Sequence, residues 1–293
     1  MQLRTTFVSH AAALVGTLHM PDGAPEGVAI LTGPSTSVKE QASGAYAAAL
    51  AARGWAALAF DHRTFGESGG KPRQLENPFA KAEDISAAFD YVKTVPDLAA
   101  LPVIGVGVCA GGGYMAYAMA KDHRFSGFAG IAGYYADAEM AKKSMGEQFD
   151  AALTRALKAQ AIYDATGRAE TIPAVGLDGG DVAMPLAEAY QYYGTPRGAV
   201  ANYVNAFAVQ SRQYTLPFDT QGIAHDIAMP TILVHSERAL APSLARAFYR
   251  RLSARKRQVW LASAGQIDFY DDPRLIGAAV EAIVDFFAPL ART

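Results

Sequence analysis

The sequence predicts an α/β fold, a mostly parallel sheet with helices on both faces, interrupted by one mainly helical insertion. Three observations predict it. Short apolar runs alternate with helical spacing over roughly residues 28–135 and 229–288. From Ala138 to about Gly222 no strand pattern occurs. At 293 residues the chain is long for one domain and short for two, which suits one core with a sizeable insertion.

Each element has its own signal. Ala11–Leu18 is an eight-residue apolar run that enters the turn His19-Met20-Pro21-Asp22-Gly23, so it reads as a strand rather than a signal peptide. Val28–Thr32 is the next strand. Lys39–Arg53 has helical spacing through Tyr46, Leu50 and Ala51, with Gly54 where a helix should end. Ala56–Phe60 is a strand closed by Asp61. Asn77 is placed to cap a helix carrying Ile85, Phe89 and Val92 on one face. Leu101–Ala120 is twenty uncharged residues, the length of a membrane span, but its five glycines and one proline divide it into strand Val103–Val108, a turn and helix Gly111–Lys121. Phe128–Ile131 is a further strand. After the insertion come strand Thr231–His235, helix Pro242–Leu252, strand Val259–Ala262 and an amphipathic helix from Leu275 to Phe287.

These elements divide the chain into a core of residues 1–136 and 223–293 and a cap of residues 137–222, about 85 residues lying over the carboxyl edge of the sheet. Phe149, Leu153 and Leu157 recur every four residues and begin the cap as an amphipathic helix. A loop of that length without structure of its own is uncommon in a compact domain.

Composition excludes several functions. Lys plus Arg is 26 against 28 Asp plus Glu, a formal charge of −2, which argues against binding to nucleic-acid backbones. Hydrophobic residues at 51% and charged ones at 18% argue against disorder. The single cysteine, Cys109, excludes an intrachain disulfide and fits a reducing, cytoplasmic setting. The basic run Arg250, Arg251, Arg255, Lys256 and Arg257 reads as a solvated helix end. Asp268, Asp271 and Asp272 cluster without nearby histidines or a glycine-rich loop, so no metal and no cofactor are called for.

Gly107-Val108-Cys109-Ala110-Gly111 carries the most chemical information. It joins a buried strand directly to a helix, with glycine two residues before and two after the cysteine. A nucleophile in such a sharp turn needs small neighbours there and is lifted above the carboxyl edge of the sheet. The helix N-terminus favours thiolate, so a thiol pKa below the ordinary range is expected. The Ala110 N–H is expected to face an oxyanion. Two other readings stand beside this one. Cys109 also fits a small core residue, and Gly105-Val106-Gly107-Val108-Cys109-Ala110 fits a loose dinucleotide-binding turn, although it does not follow the first strand of the sheet.

The Cys109 elbow, together with Asp61-His62-Arg63-Thr64-Phe65-Gly66-Glu67-Ser68, the strand ending His235-Ser236-Glu237, and Asp268-Phe269-Tyr270-Asp271, resembles the α/β-hydrolase superfamily. Within it, the cysteine resembles the dienelactone-hydrolase-like branch. The resemblance implies an eight-stranded, mostly parallel sheet with a lid, and acyl chemistry by a nucleophile, an acid and a histidine. This chain departs from the pattern twice. The position matching the histidine is Gln266, which cannot carry a proton near neutral pH, and the position matching the acid is Ala239. Glu237, two residues earlier, is a substitute acid, and Asp137 is another.

Of six histidines, His62 and His235 fall near carboxyl ends of strands and are the candidate bases; a structural role is the alternative for each. The loop Gly33-Pro34-Ser35-Thr36-Ser37 should supply a second oxyanion donor, from Ser35 or Thr36, since Pro34 has no N–H. Tyr190 and Tyr193 are candidate cavity-lining groups, although an aromatic stripe is more often packing. The expected function is therefore that of an enzyme acting on a small ester, thioester or lactone through Cys109. A lyase, isomerase, cyclase or C–C bond-forming enzyme of the same fold is the alternative, and a non-catalytic ligand binder is a third. The expected partner is a small molecule, with no nucleic acid and no membrane, and a homo-oligomer is left open.

Overall fold

A computed structural model describes residues 1–177 and 180–290. Its order begins β1 (Gln2–Ser9), β2 (Ala12–His19), β3 (Val28–Thr32), α1 (Ala42–Ala51), β4 (Ala56–Phe60), α2 (Pro78–Thr94), β5 (Val103–Val108), α3 (Ala110–Met119) and β6 (Gly127–Ile131). Then come α4 (Ala138–Met145), α5 (Glu147–Thr166), β7 (Thr171–Ile172), α6 (Ala187–Tyr193), β8 (Phe207–Ala208) and α7 (Arg212–Thr215). The chain finishes with β9 (Thr231–His235), α8 (Pro242–Arg251), β10 (Lys256–Trp260), α9 (Asp268–Asp271) and α10 (Pro273–Phe287).

The main sheet has eight strands in the order β1-β2-β4-β3-β5-β6-β9-β10. Pairs from β4 through β10 are parallel, and β2 pairs antiparallel with both β1 and β4. Every residue of β3, β4, β5, β6 and β9 is buried, because helices cover both faces, and such strands read as unbroken apolar runs. Two apolar clusters result. One packs α1 and α10 on one face, through Tyr46, Leu50, Ile283 and Phe287, and the other packs α2, α3 and α8 on the opposite face, through Ile85, Met115 and Phe248.

The connections place the site. From β3 the chain goes to β4 on one side, then crosses to β5 on the other. The carboxyl ends of β3 and β5 thus flank a switch point, where open α/β sheets form a crevice. Thr32 ends β3 and Val108 ends β5, so the Ser35 loop and Cys109 meet there.

Several expectations are corrected. The first strand, Gln2–Ser9, carries too many exposed polar residues to show an apolar run, and was not anticipated. The last strand starts at Lys256 rather than Val259 and ends at Trp260. Lys256 and Arg257 therefore belong to an edge strand rather than a helix end, and Lys256 Nζ donates to the carbonyls of Tyr249, at 2.9 Å, and Leu252, at 2.7 Å, which end α8. The segment between β6 and β9 contains one short antiparallel pair, Thr171↔Ala208 and Ile172↔Phe207, where no strand was expected. Two residues per strand, 35 positions apart, leave no alternation to read. Leu101–Ala120 folds as strand, turn and helix, and no helix among the described residues is long and apolar enough to cross a membrane.

Candidate active site

Cys109 sits between β5 and α3 with φ 56° and ψ −124°. That backbone conformation is strained for a residue with a side chain and survives only where its surroundings enforce it. Here three backbone hydrogen bonds clamp it: its N–H donates to Ile131 O at 3.0 Å, and its carbonyl accepts from Gly112 N at 2.9 Å and Tyr134 N at 2.8 Å. A Cβ at Gly107 would lie 2.3 Å from Gly111 O, and one at Gly111 would lie 2.4 Å from Thr32 O. Both contacts are with backbone, so neither neighbour can yield, and only glycine fits on each side of the turn.

The thiol is buried and meets three groups: the Tyr270 phenol, the Ala110 N–H and the Gln266 side chain. Burial pushes its pKa up, and the nearby Glu188 charge adds to that, while the three hydrogen-bonding groups pull the other way. The net direction is upward, against the expected lowering, because desolvation outweighs the three hydrogen bonds.

Gln266 is brought to the sulfur, as its place in the loop after the last strand implied. Its side chain is locked: Oε1 accepts from Leu240 N at 2.8 Å, and Nε2 donates to Ala132 O at 3.0 Å. The loop after β9 therefore faces Gln266, with Ala239 buried beside Leu240 and offering no carboxylate. Gln266 N–H donates to Glu188 Oε2 at 3.0 Å, which ties this loop to α6.

The other candidates for acid and base are not gathered here. Glu237 is exposed and paired with Arg246. The His62 ring is buried, with Nε2 2.7 Å from Thr32 Oγ1 and Nδ1 3.3 Å from Asp84 Oδ2, so both nitrogens serve packing between β3, β4 and α2. His235 is buried against Trp260, and its Nδ1 donates to Ser236 O at 2.9 Å. Burial lowers the pKa of both rings. Asp137 caps α4 through Met140 N at 2.8 Å.

On the opposite side, Ser35 lines the cavity with Cys109 and Ala110. Thr36 does not serve as expected. Its N–H donates to Glu76 Oε2 at 2.9 Å and is unavailable to an oxyanion. Tyr190 and Tyr193 are also corrected: neither lines the cavity around Cys109. Tyr193 is buried among the rings of Tyr192, Tyr203 and Tyr270, and Tyr190 packs on the same apolar cluster.

The cavity holds about 740 Å³. Its floor is Cys109, Ala110 and Tyr114; Met145, Gln148, Met184 and Phe207, from the segment between β6 and β9, cover it. Arg212 is its one charged lining residue among the described residues and is held by Asp181 at 2.9 Å. No histidine lines it among the described residues.

Sequence reasoning missed Tyr270, Glu188, Tyr114 and the buried pair Glu76 and Lys81. Tyr270 had a readable signal, since it follows Gln266 by four positions and so shares its face in a helical turn. Glu76 and Lys81 had none; only the fold shows that both are buried.

Residues 29–172 match the family model described as serine aminopeptidase, S33. The chain is similar to the Escherichia coli (strain K12) protein YcjY, with 29% identity over 277 residues, 88% of this chain and 87% of that one. It is also similar to the Pseudomonas aeruginosa protein PA2218, with 32% identity over 267 residues, covering 88% of this chain and 71% of that one. The crystal structure of PA2218 superposes with a TM-score of 0.86 over 99% of this chain and 93% of that one, at 27% identity. A dienelactone hydrolase from Anabaena variabilis shares the fold at a TM-score of 0.60 and 14% identity, over 99% of this chain and 97% of that one.

Proposed function

The chain belongs to the α/β-hydrolase superfamily, and from that premise we propose an enzyme that acts on a small ester, thioester or lactone through Cys109. The observation that carries this reading is the strained cysteine at the elbow, opening on a covered cavity of about 740 Å³. A φ of 56° held by three backbone hydrogen bonds between two obligatory glycines supports a nucleophile lifted above the sheet edge.

The chemistry follows from the groups around the sulfur. The thiol attacks the acyl carbon; the C–S bond forms and the bond to the leaving group breaks. The thiol proton passes to the leaving group. Ala110 N–H supports the oxyanion, with the Ser35 backbone N–H as the second donor from the facing loop. Tyr270 donates its phenolic proton toward the sulfur, which favours charge there as the thiol ionises. Because burial holds the resting thiol neutral, ionisation belongs to the step in which substrate is bound, not to the free enzyme.

A second reading is favoured by Gln266. Its amide donates and accepts hydrogen bonds but carries no proton, and both ends are fixed on backbone. Activation of water is thereby disfavoured, so the same cysteine suits transfer of the acyl group to an acceptor other than water, or a cyclase or C–C bond-forming reaction. The test is turnover of a small activated thioester by the natural protein and Cys109→Ala, with the products identified. The proposal expects turnover that Cys109→Ala abolishes while folding is kept. Free acid as product supports hydrolysis, and a coupled product supports the second reading. Undiminished turnover by Cys109→Ala would sink both.

A further inference from the structure

Behind the oxyanion loop lies a buried carboxylate that the reaction above does not use. Glu76 is fully buried and accepts from three donors. Tyr114 Oη at 2.6 Å and Lys81 Nζ at 2.5 Å both meet Oε1, while Thr36 N at 2.9 Å has Oε2. The Glu76 N–H donates to Ser211 Oγ at 2.9 Å, which fixes its backbone to the segment leading into α7. Burial alone would push the Glu76 pKa up, but the Lys81 charge and the three hydrogen bonds hold it below the usual carboxylate range. The Thr36 N–H therefore meets a charged acceptor.

Thr36 stands where a turn calls for another residue. Ser37 N–H donates to Pro34 O at 3.2 Å and closes a four-residue turn with Ser35 and Thr36 at its centre. Thr36 has φ 61°. A turn with positive φ at its third position favours glycine or asparagine, and a β-branched residue there is strained. The Glu76 carboxylate grips the N–H of that strained residue.

The same turn presents the Ser35 N–H. The amides of Thr36, Ser37, Val38 and Lys39 donate to Glu76 Oε2, Pro34 O, Gln41 Oε1 and Asp61 Oδ1. The N–H of Ser35 has no acceptor among the described residues, and Ser35 lines the cavity with Cys109 and Ala110. The peptide plane that carries this N–H is anchored through Pro34 O, which accepts from Ser37 N and from Ser37 Oγ at 2.7 Å. Carbonyl and N–H of one trans peptide point opposite ways, so the anchor turns the Ser35 N–H away from Ser37. Relaxation of Thr36 to negative φ would pull Ser37 off Pro34 and release that plane.

We propose that Glu76 is a positioning residue for the oxyanion site: its carboxylate, on the Thr36 N–H, holds the strained turn that presents the Ser35 N–H beside Cys109. The inference rests on the acyl reading of the site and deepens it. Glu76 does not line the cavity, so it acts through Thr36 and not on substrate.

Glu76→Gln tests this without changing the shape of the side chain. Tyr114 and Lys81 both need an acceptor, so the amide oxygen takes their side and the amide nitrogen faces the Thr36 N–H, donor against donor. Two reactions of Cys109 are timed by mass spectrometry on the full-length protein. Acylation by the phenyl thioester of butyric acid builds an oxyanion; alkylation by iodoacetamide builds none. The ratio of acylation rate to alkylation rate should fall about tenfold or more in Glu76→Gln, on the scale of a weakened oxyanion donor. Glu76→Asp keeps the charge beside Lys81 but is one methylene short of Thr36, and the same fall is expected of it if Glu76→Gln does not fold. An unchanged ratio would overturn the inference, and so would an equal loss of both rates, which assigns Glu76 to the integrity of the fold alone. Acylation of the natural protein alongside an unchanged ratio in the variants leaves the acyl reading standing and removes this one. A natural protein that iodoacetamide labels and the thioester does not removes both.

Discussion

Replacing Gln266 by histidine puts a group that can carry a proton where the structure holds an amide against the Cys109 sulfur. Two opposing effects are expected. Gln266 is only 3% exposed and satisfies two backbone groups, the part-buried Leu240 N–H at 2.8 Å and the buried Ala132 O at 3.0 Å. An imidazole facing the sulfur keeps one of those bonds at most, and an unsatisfied buried backbone group costs about 1–3 kcal/mol. The rate effect runs the other way, since general acid–base catalysis contributes roughly 10²–10⁴-fold. Gln266→His alone should recover only part of it, because Ala239 leaves the ring without a carboxylate to orient it. Ala239 adjoins Leu240, whose N–H reaches the Gln266 side chain, so Ala239→Asp places a carboxylate beside the new ring. The assay is kcat/KM for hydrolysis of a small p-nitrophenyl ester by the natural protein, both single variants and the double variant, with urea unfolding in parallel. The double variant should be the fastest hydrolase of the four, and Gln266→His less stable than the natural protein. If the natural protein matches or exceeds the double variant in rate, the missing-histidine argument is wrong.

Two further outcomes follow from burial. The raised Cys109 pKa predicts that iodoacetamide labelling of the folded protein rises with pH through a midpoint above that of the unfolded chain. Its sign for stability is fixed: the contribution is fully present below the unfolded thiol pKa and is lost as pH rises through the folded value; a midpoint at or below the unfolded value would contradict this. Glu76→Ala should destabilise the protein by about 3–5 kcal/mol in denaturant unfolding, because it strands the buried Lys81 ammonium; a loss under about 1 kcal/mol would show that the pair is not enclosed as described.

What the sequence revealed, and what it hid, has a physical pattern. Strands β3, β4, β5 and β9 were legible within a residue because they are buried on both faces, and so are written as apolar runs closed by turn or cap signals. The elbow was legible because two glycines beside one cysteine are demanded by contacts of 2.3 and 2.4 Å with backbone. Strand β10 was misplaced because an edge strand tolerates Lys256 and Arg257, which look like a solvated helix end. His62 and His235 sit at strand ends as expected, but only the fold shows Asp84 and Thr32 occupying both nitrogens of His62 and Ser236 O occupying Nδ1 of His235. Tyr190 and Tyr193 had the spacing of a lining stripe, yet the face they share turns toward the aromatic cluster around Tyr270. Thr36 was a fair candidate until the fold brought Glu76, 40 positions away, onto its N–H.

Everything proposed for the site depends on Cys109 forming a bond to an acyl group. The most direct measurement is intact-protein and peptide mass spectrometry after brief mixing with an activated acyl thioester and acid quenching. Slow turnover through a site without a histidine predicts an acyl adduct that accumulates on the peptide containing Cys109 and is absent from Cys109→Ala. Turnover with no adduct on that peptide, and undiminished in Cys109→Ala, would contradict the account.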